Sequence, residues 1–394
     1  MKRNLALALV AAFAVAACSE MSEPTNPSAT PNVSYSAASD NADVIPGRFI
    51  ITLRDGVDPS TVAAEHGARP DFVYHAVLNG FAGDISEAAR SGLMRDARVL
   101  RIEPDGIARA SATQYNATWG IDRVDQGSLP LSGTYSYTAT GNGVTAYIID
   151  TGIETGHAQF GSRASVGYDS FNGNGQDCNG HGTHVAGTVG GTTYGIAKNV
   201  SLKAVRVLDC NGSGSWSGVI AGMNWVVQNH AAGTTPAVAN MSLGGGANSS
   251  VDAAVNNMIN AGVATAVAAG NGNWIGIAQD ACKSSPARVA NAMTIGATNS
   301  SDAKASWSNY GKCVDWFAPG VSITSAWTGS GTKTISGTSM AAPHTAGVAA
   351  LYLSVAGNGS ASSQTVRDAL YDRTSRNIVK SSKSTNAHLL FSNF

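Results

Sequence analysis

Three side chains stand where local structure would make them chemically useful: Asp150, His181 and Ser339. Asp150 closes the apolar run Tyr147-Ile148-Ile149-Asp150-Thr151-Gly152, and the carboxyl end of a buried strand is where open α/β sheets hold their ligands. The triplet Asp-Thr-Gly occurs once, so a mechanism in which two such carboxylates share a proton lacks its second half. His181 and His184 lie three apart in Asn179-Gly180-His181-Gly182-Thr183-His184-Val185-Ala186-Gly187. They could share a metal, but the glutamate of a His-Glu-x-x-His motif is missing, and either ring alone reads as a packed core residue. Ser339 lies in Ser336-Gly337-Thr338-Ser339-Met340-Ala341-Ala342-Pro343-His344, where a tight turn enters a helical run. The positive end of a helix favours an attacking oxyanion. The Gly-x-Ser-x-Gly elbow of α/β-hydrolases is absent, which disfavours an esterase on that fold.

The elements that must hold these groups read as two domains. From about residue 112 the runs Val144–Ile149, Val200–Leu208, Ala237–Leu243, Val263–Ala269 and Met293–Ala297 are short, continuous and bounded by Gly, Asn or Pro. Such runs suit strands buried on both faces of a parallel sheet. Helical stretches, for example Gly218–Asn229 and Val251–Ala261, lie between them, so a three-layer α/β domain is expected over 112–394. Ahead of it, 45–111 reads β-α-β-β-α-β, the split βαβ order of a small α+β ferredoxin-like domain.

Residues 1–18 read as an export signal. Lys2 and Arg3 precede a 13-residue apolar run from Leu5 to Ala17, too short for a transmembrane helix. Val15-Ala16-Ala17-Cys18 is like a bacterial lipoprotein cleavage box, which would place a lipid on Cys18 of the precursor. Residues 19–44, rich in Ser, Thr, Asn, Pro and Ala, read as a flexible tether. Export leaves Cys178, Cys210, Cys282 and Cys313 in an oxidising compartment, where two disulfides are expected and three pairings are open. No Cys-x-x-Cys pair suggests zinc. Charged residues make up 13% of the chain, with 25 basic against 26 acidic, so no basic excess exists to hold a phosphate backbone and a nucleic-acid partner is not expected. Hydrophobic residues at 43% are ample for a packed core.

The order Asp…His…Ser, carried by Asp-Thr-Gly, His-Gly-Thr-His-Val-Ala-Gly and Gly-Thr-Ser-Met-Ala-x-Pro-His, resembles the subtilisin superfamily of serine proteases. That chain order is the one known for the superfamily. More narrowly the chain resembles the proteinase K branch and the aqualysin-like bacterial secreted enzymes. Further matching stretches are Trp119-Gly120-Ile121-Asp122-Arg123, Val207-Leu208-Asp209-Cys210-Asn211-Gly212-Ser213-Gly214, Asn240-Met241-Ser242-Leu243-Gly244-Gly245-Gly246 and Ala268-Ala269-Gly270-Asn271. The 45–111 domain resembles the subtilase propeptide inhibitor, and Ala112-Thr113-Gln114 resembles the family's mature start.

The resemblance implies an exported serine endopeptidase of broad specificity, monomeric and made as a self-processing zymogen, with its own propeptide as inhibitor. It implies Ser339 as nucleophile, His181 as general base and then acid, Asp150 as the group orienting the imidazole, and Asn271 as the side-chain donor of the oxyanion hole; alone, Asn271 in Gly-Asn-Gly would be turn chemistry. Gly212-Ser213-Gly214 and Ser242-Leu243-Gly244 match the two edges between which a substrate strand lies, and Ala268-Ala269-Gly270 one wall of an apolar first specificity pocket. The implied disulfides are Cys178–Cys210 and Cys282–Cys313. No catalytic metal is implied. Structural calcium is implied at Asp315 with the carbonyls of Ala290 and Ala292, and at Asp122, Asp125 and Gln126, since oxygen-only ligands suit Ca²⁺. The chain departs from the pattern at 272–281, longer than relatives and next to Asn271, and at Ala342, where relatives carry Thr. No further domain is expected after the catalytic one. A catalytically dead fold acting as a binding module would keep the fold and lose the serine's reactivity.

Overall fold

A computed structural model of the chain describes residues 34–35, 44–106, 111–231 and 235–394. The export signal, Cys18, most of the tether and the junction at 107–110 lie outside the described residues. The chain divides between Arg109 and Ala110 into two compact units.

In the first unit the elements are β1 (Val44–Leu53), α1 (Pro59–Glu65), β2 (Phe72–Tyr74), β3 (Gly80–Asp84), α2 (Glu87–Leu93) and β4 (Val99–Gly106). Both helices begin on a side-chain cap: Asp58 accepts from the Thr61 N–H at 3.1 Å, and Ser86 from the Ala89 N–H at 3.2 Å. Pro59 opens α1, where its missing N–H costs nothing. The sheet runs β4-β1-β3-β2, with Ser34–Tyr35 added beside β4. Its core gathers Ile51, Leu53, Val62, Phe81, Leu93 and Ile102.

The second unit is built on a seven-stranded parallel sheet of β5 (Thr145–Asp150), β6 (Ala164–Asp169), β7 (Ser201–Arg206), β8 (Ala237–Met241), β9 (Val263–Ala268), β10 (Met293–Thr298) and β11 (Trp316–Pro319). The order is β11-β10-β9-β8-β5-β7-β6. The chain builds one side of β5 first and then crosses over it to build the other, so the carboxyl end of β5 is a topological switch point. Alternation along β5 sends Ala146 and Ile148 to one face and Tyr147 and Ile149 to the other, and both faces are buried. The first face is covered by α3 (His181–Gly190), α6 (Thr338–Ser354) and α7 (Ser363–Arg373), the second by α4 (Trp216–Ala231) and α5 (Ser249–Asn260). This is the three-layer α/β arrangement expected from the sequence.

Side-chain size explains how α6 reaches the centre. It is buried all round from Met340 to Leu353, His344 and Thr345 included, as a helix with no continuous polar face must be. Its Ala341, Ala342, Ala346, Ala349 and Ala350 meet Ala264, Ala266 and Ala268 of β9 within one cluster. Small side chains on both surfaces let helix and sheet approach closely. The outer strands β6 and β11 do not show in the apolar pattern. Ala-Ser-Val-Gly-Tyr-Asp of β6 is only half-buried, and β11 is four residues long and ends in Pro319, which a sheet edge tolerates.

Candidate active site

Asp150 is the last residue of β5 and its side chain is fully buried. One carboxylate oxygen, Oδ1, accepts from the Thr151 N–H at 2.8 Å and from His181 Nδ1 at 2.7 Å. His181 is the first residue of α3 and keeps 25% of its side chain exposed. Burial favours the neutral ring, but the Asp150 carboxylate outweighs it and, with a smaller push from Asp177, raises the imidazole above its ordinary value. Gly182 explains how the helix comes so near the strand end: a Cβ there would lie 2.1 Å from the Gly152 carbonyl.

Asp177 was not singled out by its sequence setting, yet it holds this corner together. It accepts from the Asn179, Gly180 and Thr183 N–H groups and from the Thr151 and Thr183 hydroxyls at 2.6–2.9 Å. The free N–H groups at the start of α3 thus find a carboxylate acceptor. An Asp three residues before a helix-opening Gly-His is the signal that could have found it. His184 is a packed residue: Nε2 faces the Ile323 and Lys333 carbonyls at 3.0 and 3.1 Å, and burial pushes its value down to about 4. His344 is likewise buried, with Nδ1 2.8 Å from the Met340 carbonyl.

Ser339 is the second residue of α6. Among the described residues its hydroxyl donates to the Ser242 carbonyl at 3.2 Å; His181 lines the same cleft. Pro343 has no N–H, so the Ser339 carbonyl lacks its helical donor four residues on. The Ser242 hydroxyl supplies one instead at 2.8 Å, and is itself held by Asn240 Nδ2 at 2.8 Å. Asn271, just past β9, is oriented by α6: its Oδ1 accepts from both the N–H and the hydroxyl of Thr338 at 2.8 Å. With the oxygen so engaged, the amide NH₂ is the free end. Thr338 Oγ1 in turn accepts from the Gly270 N–H at 3.0 Å.

His181, Ser242, Gly270, Asn271, Thr338 and Ser339 line one cleft of about 860 Å³. Gly212, Ser213 and Gly214 form one side, Ser242, Leu243 and Gly244 another, and Ala268, Ala269 and Gly270 a third, with Asn271 and Ser339 between. Trp216, Asn309 and Thr338, which the sequence did not flag, line it too. Gly214 must be glycine, because a Cβ would stand 2.1 Å from the Val207 carbonyl. Disulfides join Cys178 to Cys210 and Cys282 to Cys313, with Cα atoms 4.9 and 5.3 Å apart.

The two calcium expectations differ in fit. Asp122 accepts from the Ser132 and Gly133 N–H groups at 3.2 and 2.9 Å and from Gln126 Nε2. Asp125 accepts from the Ser136 N–H at 2.7 Å through one oxygen, while the other is buried without a partner. Burial, with Asp122 nearby, raises the Asp125 carboxyl to about 6. Two neighbouring carboxylates, one oxygen orphaned, suit an oxygen-seeking cation. At Asp315 both oxygens are taken, one by the Thr294 N–H at 2.7 Å and one by the Arg367 guanidinium. Ala290 and Ala292 lie in the turn before β10, but the positive charge beside Asp315 is already supplied. Among the described residues no three His, Cys, Asp or Glu side chains gather as a metal site.

A buried Asp bonded to a His that shares its cleft with a helix-borne serine, on a parallel sheet of this order, is the arrangement of a subtilisin-like serine hydrolase. Residues 141–391 match the Subtilase family (Peptidase_S8). The chain is 48% identical over 382 residues to an extracellular serine proteinase of Thermus sp. (strain Rt41A), covering 90% of each chain. It is 51% identical over 328 residues to the alkaline serine exoprotease A of Vibrio alginolyticus, covering 81% of this chain and 60% of that one. A solved cold adapted subtilisin-like serine proteinase is 52% identical, with a TM-score of 0.67 over 71% of this chain and 99% of the other. The chain belongs to the subtilase family and is a serine endopeptidase.

Proposed function

We propose that Asp150, His181, Ser339 and Asn271 carry the hydrolysis of peptide bonds, the observation behind this being the 2.7 Å contact that Asp150 makes with His181, which lines the cleft along with Ser339 and Asn271. Asp150 fixes the proton on Nδ1 and leaves Nε2 as base. Ser339 Oγ attacks the scissile carbonyl while its proton passes to Nε2, and Asp150 stabilises the imidazolium that forms. Negative charge on the carbonyl oxygen is met by the Asn271 amide, pre-aimed by Thr338, and by the Ser339 N–H. The imidazolium then protonates the leaving amine, and water repeats the sequence on the acyl-enzyme. The substrate lies extended between 212–214 and 242–244, with an aromatic or aliphatic side chain against Ala268-Ala269-Gly270.

The 45–111 unit acts as a propeptide, removed after Ser111 by the chain's own Ser339 in a reaction favoured by proximity. Residues 1–18 direct export, and Cys18 would carry a lipid on the precursor alone. No helix among the described residues is long and apolar enough to cross a membrane. Calcium at Asp122, Asp125 and Gln126 would neutralise two neighbouring carboxylates and brace the segment 122–136; Asp315, Ala290 and Ala292 are not carried into this reading. A fluorophosphonate probe should label the wild-type protein and leave Ser339→Ala unlabelled and unprocessed. Absence of labelling in a folded wild type would make the protein a binding module. Mature-sized Ser339→Ala from a protease-free host would assign processing to another enzyme.

A further inference from the structure

The segment between Asn271 and Cys282 leaves the cleft at Gly272, and the chain rejoins it only beyond that segment, at Ser284 and Ser285. Its polar groups turn inward. Asn273 Oδ1 accepts from the Ile275 and Ile277 N–H groups at 3.2 and 3.0 Å, and the Asn273 N–H donates to the Ile277 carbonyl at 2.9 Å. At the base, Asn309 Oδ1 accepts from the Gly272 and Gln279 N–H groups at 3.0 and 2.8 Å, and buried Asn309 lines the cleft itself. What faces outward is apolar. Trp274 is 94% exposed, Ile275 55% and Ile277 56%, and Trp274 is the most exposed large apolar side chain described. Three such residues on one braced loop are not the scattered exposure of an ordinary surface.

We propose that this loop extends the substrate cleft and binds large apolar side chains of a polypeptide close to the bond being cut, an inference that rests on the endopeptidase reading. Its continuity with the cleft decides the occupant. Its Gly272 end and the Asn309 brace belong to the walls that hold Asn271 and Ser339, so a chain running past the oxyanion donor meets the loop next. A second copy of the protein would need more: the three side chains offer roughly 400 Å², against about 800 Å² per partner in a stable interface. Bracing also means that little loop freedom is lost on binding, so the apolar contact goes into affinity.

The test compares wild type with Trp274→Ser/Ile275→Ser/Ile277→Ser on internally quenched peptides. At each of three positions on either side of the cleaved bond, the residue is fixed as Leu, Phe or Ser. Because the three side chains are solvent-facing, thermal unfolding should be unchanged, as should labelling of Ser339 by a fluorophosphonate. At one or more positions the triple variant should show KM for the Leu and Phe peptides raised about tenfold, kcat within about twofold, and the Ser peptides unaffected. An unchanged profile in an active enzyme overturns the inference alone, and so does a loss spread evenly over all peptides. A wild-type dimer that the triple variant converts to monomer assigns the loop to self-association and also overturns it. A wild type inert to both probe and peptides removes the endopeptidase reading, and this inference with it.

Discussion

Replacing Asp177 with Asn tests whether one carboxylate holds the histidine corner. Its Oδ1 serves two fixed N–H groups, of Asn179 and Gly180, and the Thr151 hydroxyl; its Oδ2 serves one, of Thr183, and the Thr183 hydroxyl. The asparagine NH₂ should therefore turn to the Oδ2 side, where the Thr183 hydroxyl can rotate to accept. The Thr183 N–H is left facing a donor, at about 1–3 kcal/mol, and the remaining bonds weaken from charged to neutral acceptor. Together the loss should be about 3 kcal/mol, or about 6–12 °C in melting temperature for a unit of this size. It is measured by calorimetry in a Ser339→Ala background, where self-digestion cannot blur the transition. A second readout separates electrostatics from packing. Asp177 helps to raise His181, and if His181 is the base as proposed it must be neutral to act, so removing that charge should move the acid limb of kcat/KM to lower pH in active Asp177→Asn. A melting temperature within about 2 °C of the parent together with an unmoved limb would refute the reasoning.

Ser242→Ala leaves the Ser339 carbonyl without a donor at the start of α6; steady-state kinetics should show kcat reduced about tenfold or more with KM little changed, in line with about 1–3 kcal/mol for an unmade buried bond. Chelator should speed heat inactivation of the mature enzyme, since a ligand held 100-fold above its dissociation constant stabilises by about 2.7 kcal/mol; Asp125→Asn should abolish most of that calcium response, and an equal response would move the ion elsewhere. Cys282→Ser/Cys313→Ser opens a loop with a sequence separation of 31 and should cost about 4 kcal/mol in denaturant melts, whereas a change below about 1 kcal/mol would show that the bond constrains little in the unfolded chain.

Much of the second unit was legible because its central strands are buried on both faces and so read as unbroken apolar runs. The first unit announced itself through Pro59, Gly67 and two short helices between strands. Pattern failed where burial is one-sided or brief, as in β6 and β11, because half-exposed residues need not be apolar. The chemistry-bearing side chains stood out by type and motif, but their supports did not. Asp177 reaches the Thr151 hydroxyl across 26 residues, and Thr338 reaches Asn271 and the Gly270 N–H across 67 and 68, partners brought near only by the fold, while Asn240 acts at one remove through the Ser242 hydroxyl. Such pairings leave no periodic trace. The Arg367–Asp315 contact spans 52 residues and is invisible for the same reason.

Pro343 interrupts the ladder of α6 at the carbonyl of Ser339, and the strand end that completes the ladder is the one that also forms a wall of the cleft. The cleft wall and the proposed nucleophile therefore share a fastening. A redesign that exchanges 242–246 to suit a different side chain would be editing the mounting of the serine at the same time. Libraries built across this wall will score a slow enzyme as a poor fit unless position 242 keeps a hydroxyl, so Ser242 should be held fixed, or limited to Thr, while its neighbours are varied.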